Sequence, residues 1–307
     1  MTLDVDALMD RRRLKRQVAM WRILAIVLAV AAVLAILGRL AASGGNYVAR
    51  LNVSGIIAED LKRDKALDDA ADNNRIKAII VSINSPGGTV VGAEQLYNRL
   101  RDVATKKPVV VTMGTLATSA GYYIALGGDR IFAYDGTITA SIGVIFQSTE
   151  LTALMERIGV KMEQIKSGAV KASPNPFEKT NPEARAVIDA LVKDSFDQFI
   201  GLVKSRRRLT DEQARTIADG RIVTGRVARG LNLVDEIGGE DEARAWLERE
   251  KKVSRSLKVK NIDPKDEFDW GDLLGSTVGS IFGVNRRELG SRLALDGLIS
   301  LWHPALR

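Results

Sequence analysis

Two short β-branched runs, each followed by a turn and a helical stretch, constrain the fold of this 307-residue chain more than any other feature. IKAIIVSIN (76–84) leads through SPGG into TVVGAEQLYNRLRDVAT (89–105), and PVVVTM (108–113) leads into GTLATSAGYYIALGGDR (114–130). Short β-branched runs of this kind are typical of strands buried in a parallel sheet. The alternation therefore predicts an α/β fold with helical crossover connections.

The neighbouring segments extend this pattern. The alternating stretch 47–57, RIFAY (130–134) and TASIGVIF (139–146) are predicted strands, and LKRDKALDDAADNN (61–74) is a predicted helix. IKSGAVKASPNPFEKTNP (165–182) contains one glycine and three prolines, so we expect an extended loop there.

The N-terminal region contains an uncharged apolar run, ILAIVLAVAAVLAILG (23–38), flanked by Arg22 and Arg39. Together with Val18 and the residues up to Trp21, it is long enough to predict a transmembrane helix over residues 21–42. A cleaved signal peptide is the alternative. Five basic residues at positions 11–16 precede the run and few follow it, which places residues 1–20 in the cytoplasm and the rest of the chain on the opposite side.

Composition excludes several kinds of site. The chain has no cysteine and a single histidine, His303, so disulfides, thiolate metal sites and cysteine nucleophiles are excluded and a Ser-His-Asp triad has almost no material. Residues 1–39 account for +4 of the net charge of +7. The rest is nearly balanced and shows no basic stripe with interleaved aromatics, so we expect no nucleic-acid partner.

Ser119 stands at the second strand-to-helix junction, where it is either a helix N-cap or a nucleophile. The carboxyl ends of parallel strands share a crevice, so the backbone N–H groups of Gly88 and Ala120 would lie beside its hydroxyl. A nucleophile with two such donors suits acyl transfer. With histidine nearly absent, lysine is the usual substitute base.

Three lysines of the 165–182 loop are candidates for that base, and the residues alone do not choose among Lys166, Lys171 and Lys179. A lysine that acts near neutral pH must have its pKa lowered by about three units from about 10.4, which costs about 4 kcal/mol. Burial or nearby positive charge produces such a shift.

Three stretches, VSINSPGGTVVGAEQLYNRL, GTLATSAGYYIALGGDRIFAYDGTITASIGVI and IKSGAVKASPNP, together resemble the bacterial signal peptide peptidase A family. The resemblance covers roughly residues 47–250 and implies a membrane-bound serine/lysine endopeptidase with a Clp/crotonase-like parallel-sheet fold. The family's site residues fall on the nucleophile Ser119, the general base Lys171, the backbone oxyanion donors Gly88 (or Gly87) and Ala120, and a supporting Ser141 that orients the lysine. Many members have glycine where this chain has Ala120, but a backbone donor survives that change.

The resemblance also implies partners and location. We expect no metal or other cofactor, an apolar S1 pocket, hydrophobic substrates such as cleaved signal peptides, and a homo-oligomeric ring whose dyad is shared between protomers. The catalytic domain would lie on the periplasmic side of a bacterial cytoplasmic membrane. Alternatives are a protease of the same chemistry for membrane-protein quality control, a crotonase-type acyl-thioester enzyme and a non-enzymatic membrane scaffold.

The predicted organisation is a cytoplasmic segment (1–20), the membrane anchor (21–42), a protease domain (43–255) and a C-terminal tail (256–307). The tail contains two amphipathic segments, FDWGDLLGSTVGSIFGV (268–284) and LGSRLALDGLISLWHPALR (289–307). They predict either a membrane-surface or subunit contact, with Trp302 as an interfacial anchor, or a helix packed on the protease domain.

Overall fold

The computed structural model describes residues 16–35, 44–263 and 298–301. The chain divides into two compact units, Met1–Asn46 and Tyr47–Arg307. In the first unit, helix α1 (Arg16–Ala35) is apolar and long enough to cross a membrane, at about 30 Å for 20 residues. All of its residues are exposed. It begins five residues before the predicted anchor, and residues 36–42 of that prediction lie outside the described residues.

The second unit is an α/β domain. Its described strands are β1 (Tyr47–Ile57), β2 (Ile76–Thr89), β3 (Val109–Thr118), β4 (Arg130–Ala133), β5 (Ile138–Ala140), β6 (Ile145–Phe146), β7 (Ile222–Thr224), β8 (Glu236–Ile237), β9 (Lys258–Asn261) and β10 (Leu298–Leu301). Its described helices are α2 (Leu61–Asp72), α3 (Val90–Lys106), α4 (Ala120–Ala125), α5 (Thr152–Arg157), α6 (Pro182–Arg207), α7 (Asp211–Ile217), α8 (Gly225–Gly230) and α9 (Glu240–Lys251).

The centre of the sheet is parallel, in the order β9, β1, β2, β3, β4, β8. Helices α2, α3 and α4 each connect two consecutive parallel strands, as such connections require. The predicted α/β fold with a parallel sheet and crossover helices is therefore confirmed. Strand β5 pairs parallel with β3 and antiparallel with β7, which places residue 140 next to the end of β3.

Side chains of the central strands alternate between two apolar layers, because successive strand residues point to opposite faces. Ile79, Val81 and Ile83 of β2 pack in the larger cluster, which also contains core residues of α2, α3 and α4. Ala78 and Ile80 pack in the smaller one, against Trp246 and Leu247 of α9. Burial on both faces explains why β2 has almost no polar residue before Ser82.

Three predicted boundaries differ from the structure. Strand β2 continues through SPGG to Thr89, since β1 still pairs with it at Gly87 and Gly88. The predicted strand 139–146 is divided into β5 and β6, because Ala140 and Ser141 both have positive φ, which ends a strand. In the tail, residues 298–301 form a strand rather than a helix, and the other residues of the two amphipathic segments lie outside the described residues.

Strand β10 lies between β2 and β6 and is antiparallel to both. Its residues 299–301 pair with Thr89, Gly88 and Gly87, and its residues 298–299 pair with β6. By contrast, the described segment 158–181 contains no helix or strand, as predicted for the loop at 165–182.

Candidate active site

Ser119 occupies a sharp turn between β3 and α4. Its φ and ψ are 57° and −118°, a conformation that is costly for a residue with a Cβ. The turn is held because the Ser119 N–H donates to the Ala140 carbonyl at 2.8 Å and the Ser119 carbonyl accepts from the Tyr123 N–H at 2.9 Å. A serine on a strained strand-to-helix turn is the arrangement of a nucleophile elbow.

The N-cap explanation of Ser119 is not supported by its side chain. Ser119 stands at the N-cap position of α4, but its hydroxyl accepts no capping hydrogen bond from the helix. Only 1% of the residue is exposed. A strained, buried serine that leaves its helix uncapped favours a chemical role over a capping one.

Helix α4 is fixed in the core behind Ser119. The buried Tyr122 hydroxyl donates to the Leu233 carbonyl at 2.9 Å, and burial raises the pKa of Tyr122. The Tyr123 ring packs against Tyr97 and Phe199, with ring centroids 5.7 and 5.0 Å away. Burial raises the pKa of Tyr123 to about 12. Both phenols are therefore neutral structural groups near neutral pH.

The two-glycine strand end lies next to the Ser119 turn. The Thr118 hydroxyl donates to the Pro86 carbonyl at 2.9 Å, which joins the two strand ends. The Gly87 N–H donates to the Ser85 hydroxyl oxygen at 3.1 Å, and Gly87 has a φ of 124°. A Cβ on Gly88 would stand 1.8 Å from the Ile57 carbonyl oxygen, so this position requires glycine for the approach of β1.

A cavity of about 550 Å³ opens at Ser119 and Ser141. Its apolar lining includes Ile142, Val144 and Phe196, as expected for a pocket that takes apolar side chains. Ser141 is buried, has a φ of 54°, and donates its N–H to the Arg221 carbonyl at 2.9 Å. The structure thus brings two of the predicted site residues into one cavity.

The three candidate lysines lie elsewhere, on the 158–181 segment. Lys166 forms an ion pair with Glu178, and the hydrogen bond from Lys166 holds the pKa of Glu178 below its ordinary value. Lys171 is exposed on a turn in which its N–H donates to the Gly168 carbonyl at 3.1 Å. Lys179 is exposed as well. None of the three lines the Ser119 cavity.

Three charged residues of the cavity were not predicted from the sequence: Asp189, Lys193 and Asp219. All three are exposed and form ion pairs, with Arg185, Asp197 and Arg221 respectively. The hydrogen bonds from Arg221 lower the pKa of Asp219 to about 2. The spacing of cavity residues 189, 192, 193 and 196 on α6 marks one helix face, a signal the sequence contained.

The described residues contain no group of three histidine, cysteine, aspartate or glutamate side chains arranged to hold a metal ion. The groups present are instead a buried serine on a strained turn, neighbouring backbone amides and a cavity lined by both apolar and charged residues. This set suits covalent catalysis at a carbonyl carbon.

Comparison with known proteins gives the family. The sequence profile of Peptidase family S49 matches residues 101–254. The chain belongs to peptidase family S49. The matched region includes Ser119 and the loop with Lys171, and the chain is a serine protease of this family.

Several relatives have a similar sequence. A putative protease of Synechocystis is 40% identical over 65% of this chain and 72% of its own length. A putative signal peptide peptidase SppA of Enterococcus faecium is 31% identical over 77% of this chain and 73% of its own. Protease 4 of Salmonella typhi is 33% identical over 63% of this chain and 31% of its own. The resemblance to the signal peptide peptidase A family is thereby confirmed.

Among solved structures, the chain is similar to a point mutant of ClpP1 from Listeria monocytogenes. The sequence identity is 18% and the TM-score is 0.43, with 62% of this chain and 91% of that chain covered.

Proposed function

We propose that this S49 protease is a membrane-anchored endopeptidase in which Ser119 is the nucleophile and Lys171 the general base. The observation that carries the proposal is the Ser119 turn, which is strained, buried and open to a cavity. Neutral Lys171 accepts the Ser119 proton while the hydroxyl oxygen attacks the peptide carbonyl. The protonated amine then delivers its proton to the leaving amine, and water activated by the same lysine releases the acyl group.

The backbone amides of Gly88 and Ala120 are the proposed oxyanion donors. Ala120 follows Ser119 directly at the start of α4, and the end of β2 is joined to the Ser119 turn through Thr118 and Pro86. Gly87 is the weaker candidate because its N–H already donates to Ser85. Ser141 shares the cavity with Ser119, which fits its proposed supporting role in orienting the lysine amine.

We place the substrate as an extended strand between β2 and β6. Strand β10 takes that position in this chain and is antiparallel to both neighbours, so the gap accepts extended backbone. A peptide that displaced β10 would run past Gly88 and the Ser119 turn and direct one side chain toward the apolar residues of the cavity. Hydrophobic peptides, such as cleaved signal peptides, match that lining.

Lys171 would complete the site of a second copy of this chain. The segment around it exposes an unusual run of large apolar side chains: Leu151, Leu154, Ile158, Val160, Met162, Ile165, Val170, Phe177, Val187 and Leu191. Ile165 is 97% exposed. Large apolar side chains exposed in such number within one segment are typical of an interface. A second copy that covered this segment would exclude water from Lys171, as the proposed base requires.

Helix α1 is the proposed membrane anchor, with the N-terminus in the cytoplasm and the protease domain on the periplasmic side. The exposed apolar surface of α1 supports its role as an anchor. The excess of basic residues before it supports this orientation. Anchoring would keep the protease beside hydrophobic peptides left in the membrane.

The test is cleavage of a labelled, signal-peptide-like hydrophobic peptide by the full chain in mild detergent. Ser119→Ala should lower kcat by at least about 10³-fold, because no nucleophile remains. Ser141→Ala, a buried serine of the same cavity, should retain measurable turnover. Equal cleavage by wild type and Ser119→Ala would overturn the proposal and leave Ser119 a structural turn residue.

A further inference from the structure

The turn that contains Lys171 has no regular secondary structure to hold it. It lies in the 158–181 segment, where the backbone bonds near Lys171 are local: Lys171 N–H to Gly168 at 3.1 Å, and Ser173 N–H to Val170 at 3.3 Å. Ala172, the next residue, has a φ of 56°. A strained turn on an exposed loop keeps one geometry only if other groups fix it.

Two asparagine side chains bracket this turn. The Asn175 side-chain amide donates to the Ala172 carbonyl at 2.7 Å, directly after Lys171. The Asn181 side-chain amide donates to the Ala169 carbonyl at 3.3 Å, while its oxygen caps α6 through the Ala184 N–H at 2.7 Å. Hydrogen bonds from side chains to the backbone thus take the place of helix or strand hydrogen bonds in this segment, and they connect the turn to α6.

Glu178 joins the two sides of the loop. Its Oε1 accepts from the Asn175 side-chain amide at 2.8 Å and from the Lys166 ammonium group. The Lys166 side chain is only 15% exposed, so this pair is partly shielded from water. The Glu178 carboxylate therefore links Lys166, which precedes Lys171, to Asn175, whose side chain binds the Ala172 carbonyl.

We propose that Glu178 is a positioning residue, which fixes the Lys171 turn through Asn175 and Lys166. Lys166 also compensates the charge of Glu178. Lys166 was one of the three candidate bases in the sequence. Its ion pair with Glu178 gives it a structural role instead. The inference rests on the proposed role of Lys171 as base, because positioning matters only if its amine reacts.

The test compares steady-state peptide cleavage by full-length variants. Glu178→Ala should lower kcat by about 10-fold to 100-fold with KM nearly unchanged, since a shift of about 1 Å in a reacting group has an effect of this size. Glu178→Gln retains an oxygen that can accept both hydrogen bonds and should recover most of the rate. Glu163→Ala, which removes an exposed carboxylate of the same loop, is the matched control and should stay within about twofold of wild type.

A second variant keeps the inference testable if Glu178→Ala assembles poorly. Asn175→Ala removes the bond to Ala172 without changing charge, and it should lower kcat in the same way. Equal kcat in Glu178→Ala and Glu163→Ala, a rise of KM alone, or loss of assembly in both Glu178→Ala and Asn175→Ala would overturn it. Full activity in Lys171→Ala would instead refute the proposed base, whatever Glu178 does.

Discussion

The Ser119 turn and the Lys171 loop are built in opposite ways. Ser119 is buried between the end of β3 and the core helix α4, and its backbone bonds reach Ala140 on a neighbouring strand. Lys171 is exposed on a segment with no helix or strand, which is held by side-chain bonds within the loop and to the start of α6. One half of the proposed dyad is complete in a single chain, whereas the other half still lacks a desolvated environment.

Backbone strain is found beside both residues of the proposed dyad. In the part of the chain that the structure describes, Arg208 and Lys252 have positive φ at helix C-caps, where this is ordinary. Ser119, Ala140 and Ser141 have positive φ beside the cavity instead. Strain away from helix ends points to sites where geometry serves chemistry, and Ala172, next to Lys171, has a positive φ as well.

The largest difference in stability is expected between two glycine-to-alanine variants, one next to the Ser119 turn and one in the Lys171 loop. Gly88→Ala would force a Cβ to within 1.8 Å of the Ile57 carbonyl oxygen, so it should lower the free energy of unfolding by about 3 kcal/mol. Gly168→Ala meets nothing within 4 Å and should change it by less than about 0.5 kcal/mol. Urea unfolding of both variants measures this, and equal midpoints would contradict the account of the two-glycine strand end.

A smaller loss is expected behind the nucleophile. Tyr122→Phe leaves the buried Leu233 carbonyl without its donor, which should lower the free energy of unfolding by about 1–3 kcal/mol. Tyr134→Phe, at an exposed tyrosine, is the control and should have almost no effect. Thermal unfolding followed by near-UV circular dichroism separates the two. Similar melting temperatures would show that the Tyr122 bond does not hold α4.

The strained backbone at Ser119 predicts that the serine needed for activity makes the protein less stable than a glycine at this position would. Both Ser119→Ala and Ser119→Gly should be inactive, but only glycine relieves a φ of 57°. Ser119→Gly should therefore be about 1 kcal/mol more stable than Ser119→Ala. Chemical denaturation of both variants tests this. Greater stability of the alanine variant would mean that the turn is not strained.

The smallest expected effect is a pH response confined to the lysine side. The hydrogen bond from Lys166 lowers the pKa of Glu178 from 4.5, so the pair contributes fully above that value and is lost as the pH falls through the lowered pKa. Hydrogen exchange in residues 158–181, corrected for its intrinsic pH dependence, should accelerate as the pH falls below 4.5 and through the lowered pKa of Glu178, while the Ser119 turn stays protected. Equal acceleration of exchange in residues 158–181 and in the Ser119 turn would contradict this difference between the two regions.

Much of the serine side could be predicted from the sequence. β-branched runs mark the buried strands, and the strand-to-helix junction marks Ser119, because both signals are local. The continuation of β2 through SPGG was missed because proline is rarely expected inside a strand. The break after β5 was missed because Ala140 and Ser141 adopt positive φ, which neither residue type signals.

The lysine side was less predictable. The sequence marked the loop through its prolines, but the ion pair that engages Lys166 joins residues twelve positions apart. Lys193 lines the cavity because α6 packs near β6, a long-range contact that no local sequence signal marks. Only the family resemblance singled out Lys171 among the three lysines. Its proposed environment depends on a second copy of the chain, which the sequence of one chain does not show.

The most direct test of the shared dyad uses hetero-oligomers. Ser119→Ala and Lys171→Ala chains with different affinity tags are co-expressed, purified through both tags, and assayed on the hydrophobic peptide beside each variant alone. Lys193→Ala, at the one cavity lysine among the described residues, is the control.

Each of the two variants should be inactive alone. The mixed assembly should regain about a quarter of wild-type activity, which is the share of sites with both groups intact under random assembly. Lys193→Ala should remain active. A mixed assembly that stays inactive would contradict the shared dyad, and activity lost in Lys193→Ala but kept in Lys171→Ala would show that the base belongs to the same chain as Ser119.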